Sequence, residues 1–214
     1  MCFVELEKNK IWDKLRVLNL SGNKIGAVGA NFIGKHATWP NLQVLDLGGN
    51  NIGPEGVVAL SGNKTWKNLH TLILKSNAID TTGIYHLNQN LVWVNLQTLD
   101  LSGNMIGDSG AEELSKNRIW SKLQTLVLEN NLISAKGIGS ISKSTTWIML
   151  KALDLKSNPI KDEGADELGN SSNWKHLQVL ELEKCSIGDR GAGELSKNTA
   201  WTELDTLNLR SNAI

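Results

Sequence analysis

Apolar residues recur along this chain in a block that reads L-x-x-L-x-L, with mostly polar residues in the gaps. At Leu15, Leu18 and Leu20 the block ends in a strict alternation, Leu18-Asn19-Leu20, the pattern of a short strand buried on one side. A few residues on, the spacing changes. Gly110-Ala-Glu-Glu-Leu-Ser-Lys sets Ala111 and Leu114 three apart, which predicts a short amphipathic helix. Asp108 with Ser109, and Asp162 with Glu163, stand where acceptors suit a helix N-terminus. The predicted unit is one strand followed by one helix.

That unit repeats without interruption. Trp12, Trp39, Trp66, Trp93, Trp120, Trp147, Trp174 and Trp201 are each 27 residues apart. The same period carries Leu from Leu15 to Leu204 and Gly from Gly29 to Gly191. It carries Asn from Asn23 to Asn212, with Cys185 in the seventh place. No insertion or deletion breaks the register over 214 residues, so residues 1–214 read as a single domain of about eight units.

The block L-x-x-L-x-L-x-x-[N/C], present in all eight units, resembles the leucine-rich repeats. The long, helix-bearing unit is most similar to their ribonuclease-inhibitor-like class. The resemblance implies an α/β solenoid, or horseshoe, with about eight parallel strands on the concave face and short helices on the convex face. It also implies a protein partner. The tryptophan column departs from the class pattern and suits a repeat amplified by tandem duplication or built on a consensus.

Each fixed column has a physical reason. Leu15, Leu18, Leu20 and their equivalents point into the coil and stack on their neighbours. The Asn column is expected to bond free backbone groups where the chain leaves the strand; leaving such groups buried and unpaired costs about 1–3 kcal/mol each. Cys185 can serve there as a weak donor. The Gly column permits a close approach or unusual backbone angles. Trp stands three residues before a buried Leu in every unit, which predicts a packed ladder beneath the loops rather than an aromatic binding stripe.

Binding should then fall to the columns that the period leaves open. Residues three, five and seven of the block face the concave surface. The third column is small: Val17, Val44, Thr71, Thr98, Thr125, Ala152, Val179, Thr206. The fifth runs Asn19, Asp46, Ile73, Asp100, Val127, Asp154, Glu181, Asn208. In the seventh stand Lys75, Glu129, Lys156, Glu183 and Arg210 among small residues. Variation confined to two columns is the pattern of a binding surface, and drift at exposed sites also produces it. The candidate partner-binding residues are Asp46, Ile73, Lys75, Asp100, Val127, Glu129, Asp154, Lys156 and Glu181. Ile73 and Val127 should lie two strands apart, on the order of 10 Å at about 4.8 Å per strand. As exposed aliphatics rimmed by charge they read as a hot spot, although single exposed aliphatics on a strand are ordinary.

Composition narrows the partner. Lys plus Arg number 22 and Asp plus Glu number 22, and zero net charge argues against nucleic acid or an anionic membrane. No apolar run is long enough to cross a bilayer. Met1 to Lys10 lack a signal-peptide core, and two cysteines suit a reducing compartment; both predict a cytoplasmic protein. Cys2 and Cys185 are about six strand spacings apart, roughly 29 Å, against a disulfide limit of about 7 Å between Cα atoms. No cofactor or metal is expected. Asp46, Asp100 and Asp154 sit on alternate strands, about 10 Å apart, whereas one Ca²⁺ needs oxygens at about 2.3–2.6 Å; only Asp154 and Glu181 are on adjacent strands. His36, His70, His86 and His176 occupy four different columns, and no catalytic motif occurs, so no enzyme is predicted. Asn19, Asn63 and Asn170 open weak glycosylation sequons.

The predicted function is a protein-interaction scaffold. Two others come with the resemblance. An enzyme inhibitor like the ribonuclease inhibitor would be strongly acidic for a basic target, and zero net charge counts against it. A GTPase-activating regulator would use Arg16 or Arg210. The chain opens within a helical half-unit, with Phe3 in the column of Ala30 and Leu6 in that of Ile33, and it shows no capping repeat. This predicts a piece of a longer array, or open ends that self-associate.

Overall fold

The computed structural model describes residues 12–36 and 39–214. Cys2, Phe3 and Leu6, and the side chain of His36, lie outside the described residues. Eight strands form one parallel sheet in chain order. They are β1 (Val17–Asn19), β2 (Val44–Asp46), β3 (Thr71–Ile73), β4 (Thr98–Asp100), β5 (Thr125–Val127), β6 (Ala152–Asp154), β7 (Val179–Glu181) and β8 (Thr206–Asn208). Seven helices alternate with them among the described residues: α1 (Gly26–His36), α2 (Gly53–Ser61), α3 (Thr81–Asn88), α4 (Gly107–Ser115), α5 (Ala135–Ile141), α6 (Lys161–Gly169) and α7 (Asp189–Leu195). Every strand pairs with the one 27 residues on, as in Leu45 opposite Leu72 and Leu72 opposite Leu99.

The sheet is built from three-residue strands because only the central Leu needs an inward place. Leu45, Leu99, Leu126 and Leu153 are wholly buried, and the flanking residues are half-buried on the open face. The Leu columns, an Ile column from Ile25 to Ile187 and the tryptophans form one continuous core. In the first and last units the same columns are only partly covered, at Leu15, Leu18, Leu20, Leu204 and Leu209. Trp66, Trp93, Trp120 and Trp147 are fully buried, and the rings of Trp66 and Trp93 stack with centroids 6.5 Å apart at 11°. The tryptophans are a packing ladder.

The Gly column serves close approach and not backbone angle. A Cβ on Gly110 would stand 2.6 Å from Ile106 Cγ2, and one on Gly137 2.7 Å from Ile133 Cγ2, so each helix rests directly on the Ile of its own unit. Left-handed backbone is needed elsewhere, at the strand exit. Gly22, Gly49 and Gly103 take it without strain, whereas Ser76, Asn130, Ser157 and Lys184 take it at φ 52–57.

Asp108 and Asp162 stand in the first turn of their helices, as expected, but bond to the following unit. Neither caps its own helix. Asp108 accepts from Ser134 N (2.7 Å) and Gly137 N (3.0 Å) of the next unit. Asp162 accepts from Gly188 N (2.7 Å) and Gly191 N (3.1 Å) in the same way. The N–H groups of Gly188 and Gly191, aided by Arg190, hold the Asp162 carboxyl below its ordinary pKa. These carboxylates staple one coil to the following one.

Candidate functional site

The open face of the sheet is held in place by its exit turns. Asn50 shows how. Its Nδ2 donates to Leu20 O (2.9 Å) and Leu47 O (2.8 Å), and its Oδ1 accepts from Asn23 N (2.8 Å) and Ile25 N (3.2 Å). Asn77, Asn104, Asn158 and Asn212 repeat the donor half of this pattern, so each asparagine binds two successive coils. Between Asn104 and Asn131 the ladder has a break: Asn131 Oδ1 is buried without a partner, and Met105 N–H turns to Ile79 O at 2.8 Å.

Cys185 is the exception by sequence. Its thiol donates weakly to Leu155 O at 3.3 Å, and Ile160 N–H turns back to Asn158 O (2.8 Å), the sulfur having replaced a carbonyl oxygen. Burial pushes the thiol up to about 11, against hydrogen bonds from Asn158 and Ser157 that pull it down. Cys185→Asn should complete the ladder and raise stability by about 1 kcal/mol in urea melts at neutral pH. The unfolded thiol ionises near its ordinary 9.0 and the folded one near 11, so the site's stability is full below pH 9.0 and is lost as pH rises toward 11. The gap between variant and parent should therefore widen over that window. A Cys185→Asn chain less stable than its parent would contradict this account.

A second ladder escaped the sequence reading. Asn63, Asn90, Asn117 and Asn198 follow the same period at the end of each helix. Asn90 Oδ1 accepts from Val92 N (2.9 Å) and Trp93 N (3.1 Å), and its Nδ2 donates to Ser61 O (2.7 Å) of the preceding unit. This fixes the loops that deliver Trp66, Trp93, Trp120 and Trp201. Asn63 is 4% exposed and its amide donates to Gly34 O, so that sequon is spoken for.

On the sheet face the fifth column forms one cross-strand row. Asp46 is opposite Ile73, Ile73 opposite Asp100, Asp100 opposite Val127, Val127 opposite Asp154, and Asp154 opposite Glu181. The aspartates are not free charges. Asp46, Asp100 and Asp154 each accept the N–H two residues on, from Gly48 (2.9 Å), Ser102 (2.9 Å) and Lys156 (3.0 Å). Asn19 and Asn208 do the same. Ile73 and Val127 carry no acceptor and cannot.

Their exposure differs from expectation. Ile73 and Val127 are half-buried and do not protrude, because in-register neighbours flank each of them on both sides. Lys75 lies over Gly48, where a Cβ would meet its stem at 2.9 Å. Lys156, Asp154, Glu129 and Glu181 form a second group. Lys156 Nζ sits 3.0 Å from Asp154 Oδ2, and that hydrogen bond, with the charges of Asp154, Glu181 and Glu129, holds the ammonium above its ordinary pKa. Glu181 Oε2 also accepts from Asn208 Nδ2 at 2.6 Å.

Other candidates do not converge. Arg16 precedes β1 and Arg210 follows β8, at opposite ends of the sheet. His176 Nδ1 pairs with Glu203 at 2.7 Å, and His86 meets the edge of Tyr85. Among the described residues no three His, Cys, Asp or Glu side chains gather as metal ligands.

Comparison with known proteins agrees with this geometry. The leucine-rich repeat family model matches residues 14–34, 40–61, 94–115, 148–169 and 175–196, together half of the chain. No curated protein matches the sequence. Among solved structures, the Arabidopsis receptor kinase HAESA in complex with the peptide hormone IDA and a co-receptor is similar at TM-score 0.51 and 22% identity. That match covers 92% of this chain and 30% of the receptor, so the chain spans under a third of its length. A plant ice-binding protein aligns at TM-score 0.45 and 19% identity, over 85% of this chain and 60% of that one. By five matched segments and an eight-strand parallel sheet in 27-residue register, the chain belongs to the leucine-rich repeat family.

Proposed function

We propose that this chain is a non-catalytic scaffold that holds a protein partner on its concave sheet face, centred on Ile73, Asp100 and Val127. One observation carries the reading. At Asn19, Asp46, Asp100, Asp154 and Asn208 the fifth column bonds its own backbone, and Ile73 and Val127 forgo that bond. The fold gains little in return, since both aliphatics remain partly open to water. Apolar groups kept at such a cost to local bonding, beside a charge, suit a recognition surface. Lys75, Glu129 and the group around Lys156 would form its polar rim, with Asp46 and Glu181 at the ends of the row.

The test replaces Ile73 and Val127 together by Asn. Asparagine suits this column, as Asn19 and Asn208 show, whereas aspartates would stand between like charges across the strands. The double variant should fold at least as well as its parent. Binding to a partner captured from native lysate and then purified should weaken by at least about 2 kcal/mol. Glu112→Lys with Glu113→Lys, on α4, should bind as the parent does, since the pairs lost with Lys116 are exposed ones of little worth. A helix variant that loses the partner, beside a face variant that keeps it, would place the interface on the convex side.

A further inference from the structure

Zero net charge conceals a segregated surface. The loops that lead from each helix into the next strand line one edge of the solenoid. Over residues 63–70, 90–97, 117–124, 144–151 and 171–178 that edge carries six Lys or Arg and no Asp or Glu. Lys64, Lys67, Arg118 and Lys175 are exposed and form no ion pair with any described residue. The same edge presents large aliphatics: Leu91 is 67% exposed and Ile148 60%, with Val94 and Met149 beside them. Leu91 and Val94 belong to the fourth unit, Ile148 and Met149 to the sixth, and Arg118 and Lys122 lie between them in the fifth.

We propose that this edge docks on an anionic lipid surface, its cations on the headgroups and Leu91 and Ile148 in the interfacial layer. The favourable partner is negative, because the five central loops have no carboxylate to repel it, Asp13, Glu203 and Asp205 standing only in the first and last units, and the unpaired cations lose no internal bond on binding. Aliphatics set between cations along a rim add apolar burial to that attraction. A fluid bilayer fits this arrangement better than a folded acidic protein does. It needs neither a matching shape nor defined pairs, and long Lys and Arg stems on a rim supply neither. The loops are stiff enough to present the row, since the Asn63, Asn90 and Asn117 ladder ties their backbone. They lie at the N-terminal ends of the strands, so docking leaves the fifth and seventh columns free.

The experiment is co-sedimentation of the chain with vesicles of phosphatidylcholine alone, or of phosphatidylcholine with about one-third phosphatidylserine. Binding is expected only to the second, and it should vanish at about 1 M salt, where the screening length is short. Lys64→Glu, Lys67→Glu and Arg118→Glu together should lower partitioning at least about tenfold. Leu91→Ser with Ile148→Ser should also lower it, with urea melts of both variants matching the parent because all five residues are exposed. The Ile73→Asn, Val127→Asn variant should bind vesicles as the parent does, which separates this site from the sheet face. Absence of binding to anionic vesicles, equal binding to both compositions, or full binding by the charge-reversed variant would overturn the proposal. So would capture of the edge by poly-glutamate without any vesicle binding, which would assign it to an acidic protein.

Discussion

Replacing Trp120 by alanine is expected to lower stability by about 3–5 kcal/mol, the usual cost of emptying a large aromatic site. Trp120 is fully buried in the middle of the ladder, with Trp93 and Trp147 equally buried in the adjoining units. Its indole Nε1 has no hydrogen-bond partner, so the loss is one of packing and cavity alone. Trp120→Phe, which keeps most of the apolar volume and removes that unpaired donor, should therefore cost less than half as much. Trp12, 40% exposed at the edge of the described array, sets the lower reference. Urea denaturation of the three variants would show the order Trp120→Ala, then Trp120→Phe, then Trp12→Ala. Equal losses at Trp12 and Trp120 would mean that the column does not act as a stacked core.

Asn104→Ala should be nearly as damaging, by about 3 kcal/mol or more, because it orphans several buried groups at once. Its Nδ2 donates to Leu74 O (3.1 Å) and Leu101 O (2.7 Å), and its Oδ1 accepts from Asn77 N (2.9 Å) and Ile79 N (3.0 Å). Asn212 makes corresponding bonds, to Leu182 O (2.8 Å) and from Cys185 N (2.9 Å), yet only partly buried and in the last unit. Asn212→Ala should cost less than half as much, since a terminal unit can open without dividing the array. Identical midpoint shifts for the two variants would contradict a solenoid in which coils touch only their neighbours.

The fold was legible because the residues that define it recur at every coil. Leu18, Asn23 and Trp12 each state their role eight times over, with Cys185 the one substitution in the Asn column. The second ladder was less visible, since His36, Ser144 and Ser171 take the place of Asn63 in three units and make the column look irregular. Asp108 and Asp162 stand in the first turn of their own helices, as their sequence position implies, but their bonding partners are not legible there. The groups they reach are 26 and 29 residues ahead. The fifth column forms one row across the sheet, and Ile73 and Val127 stand out in it by type alone. What a column cannot tell is whether a carboxylate faces water or its own N–H, as Asp100 does at 2.9 Å. Nor does a charge total reveal that the five central helix-to-strand loops carry cations and no carboxylate.

The constant offset of 27 residues between paired strands bears on how the chain folds. Joining two ends of a flexible segment costs entropy that grows with the logarithm of its length. Here every strand closes a segment of the same length, whether it joins the second coil or the eighth. The expensive event is the first closure, which orders two coils that have no formed edge to build on. Each later coil meets an edge already in place and faces an unchanging increment, so growth proceeds as a zipper. Lengthening such an array adds steps but no higher barrier. A tandem duplication that preserves the 27-residue spacing therefore inserts a coil without creating any contact more distant in sequence than those already made.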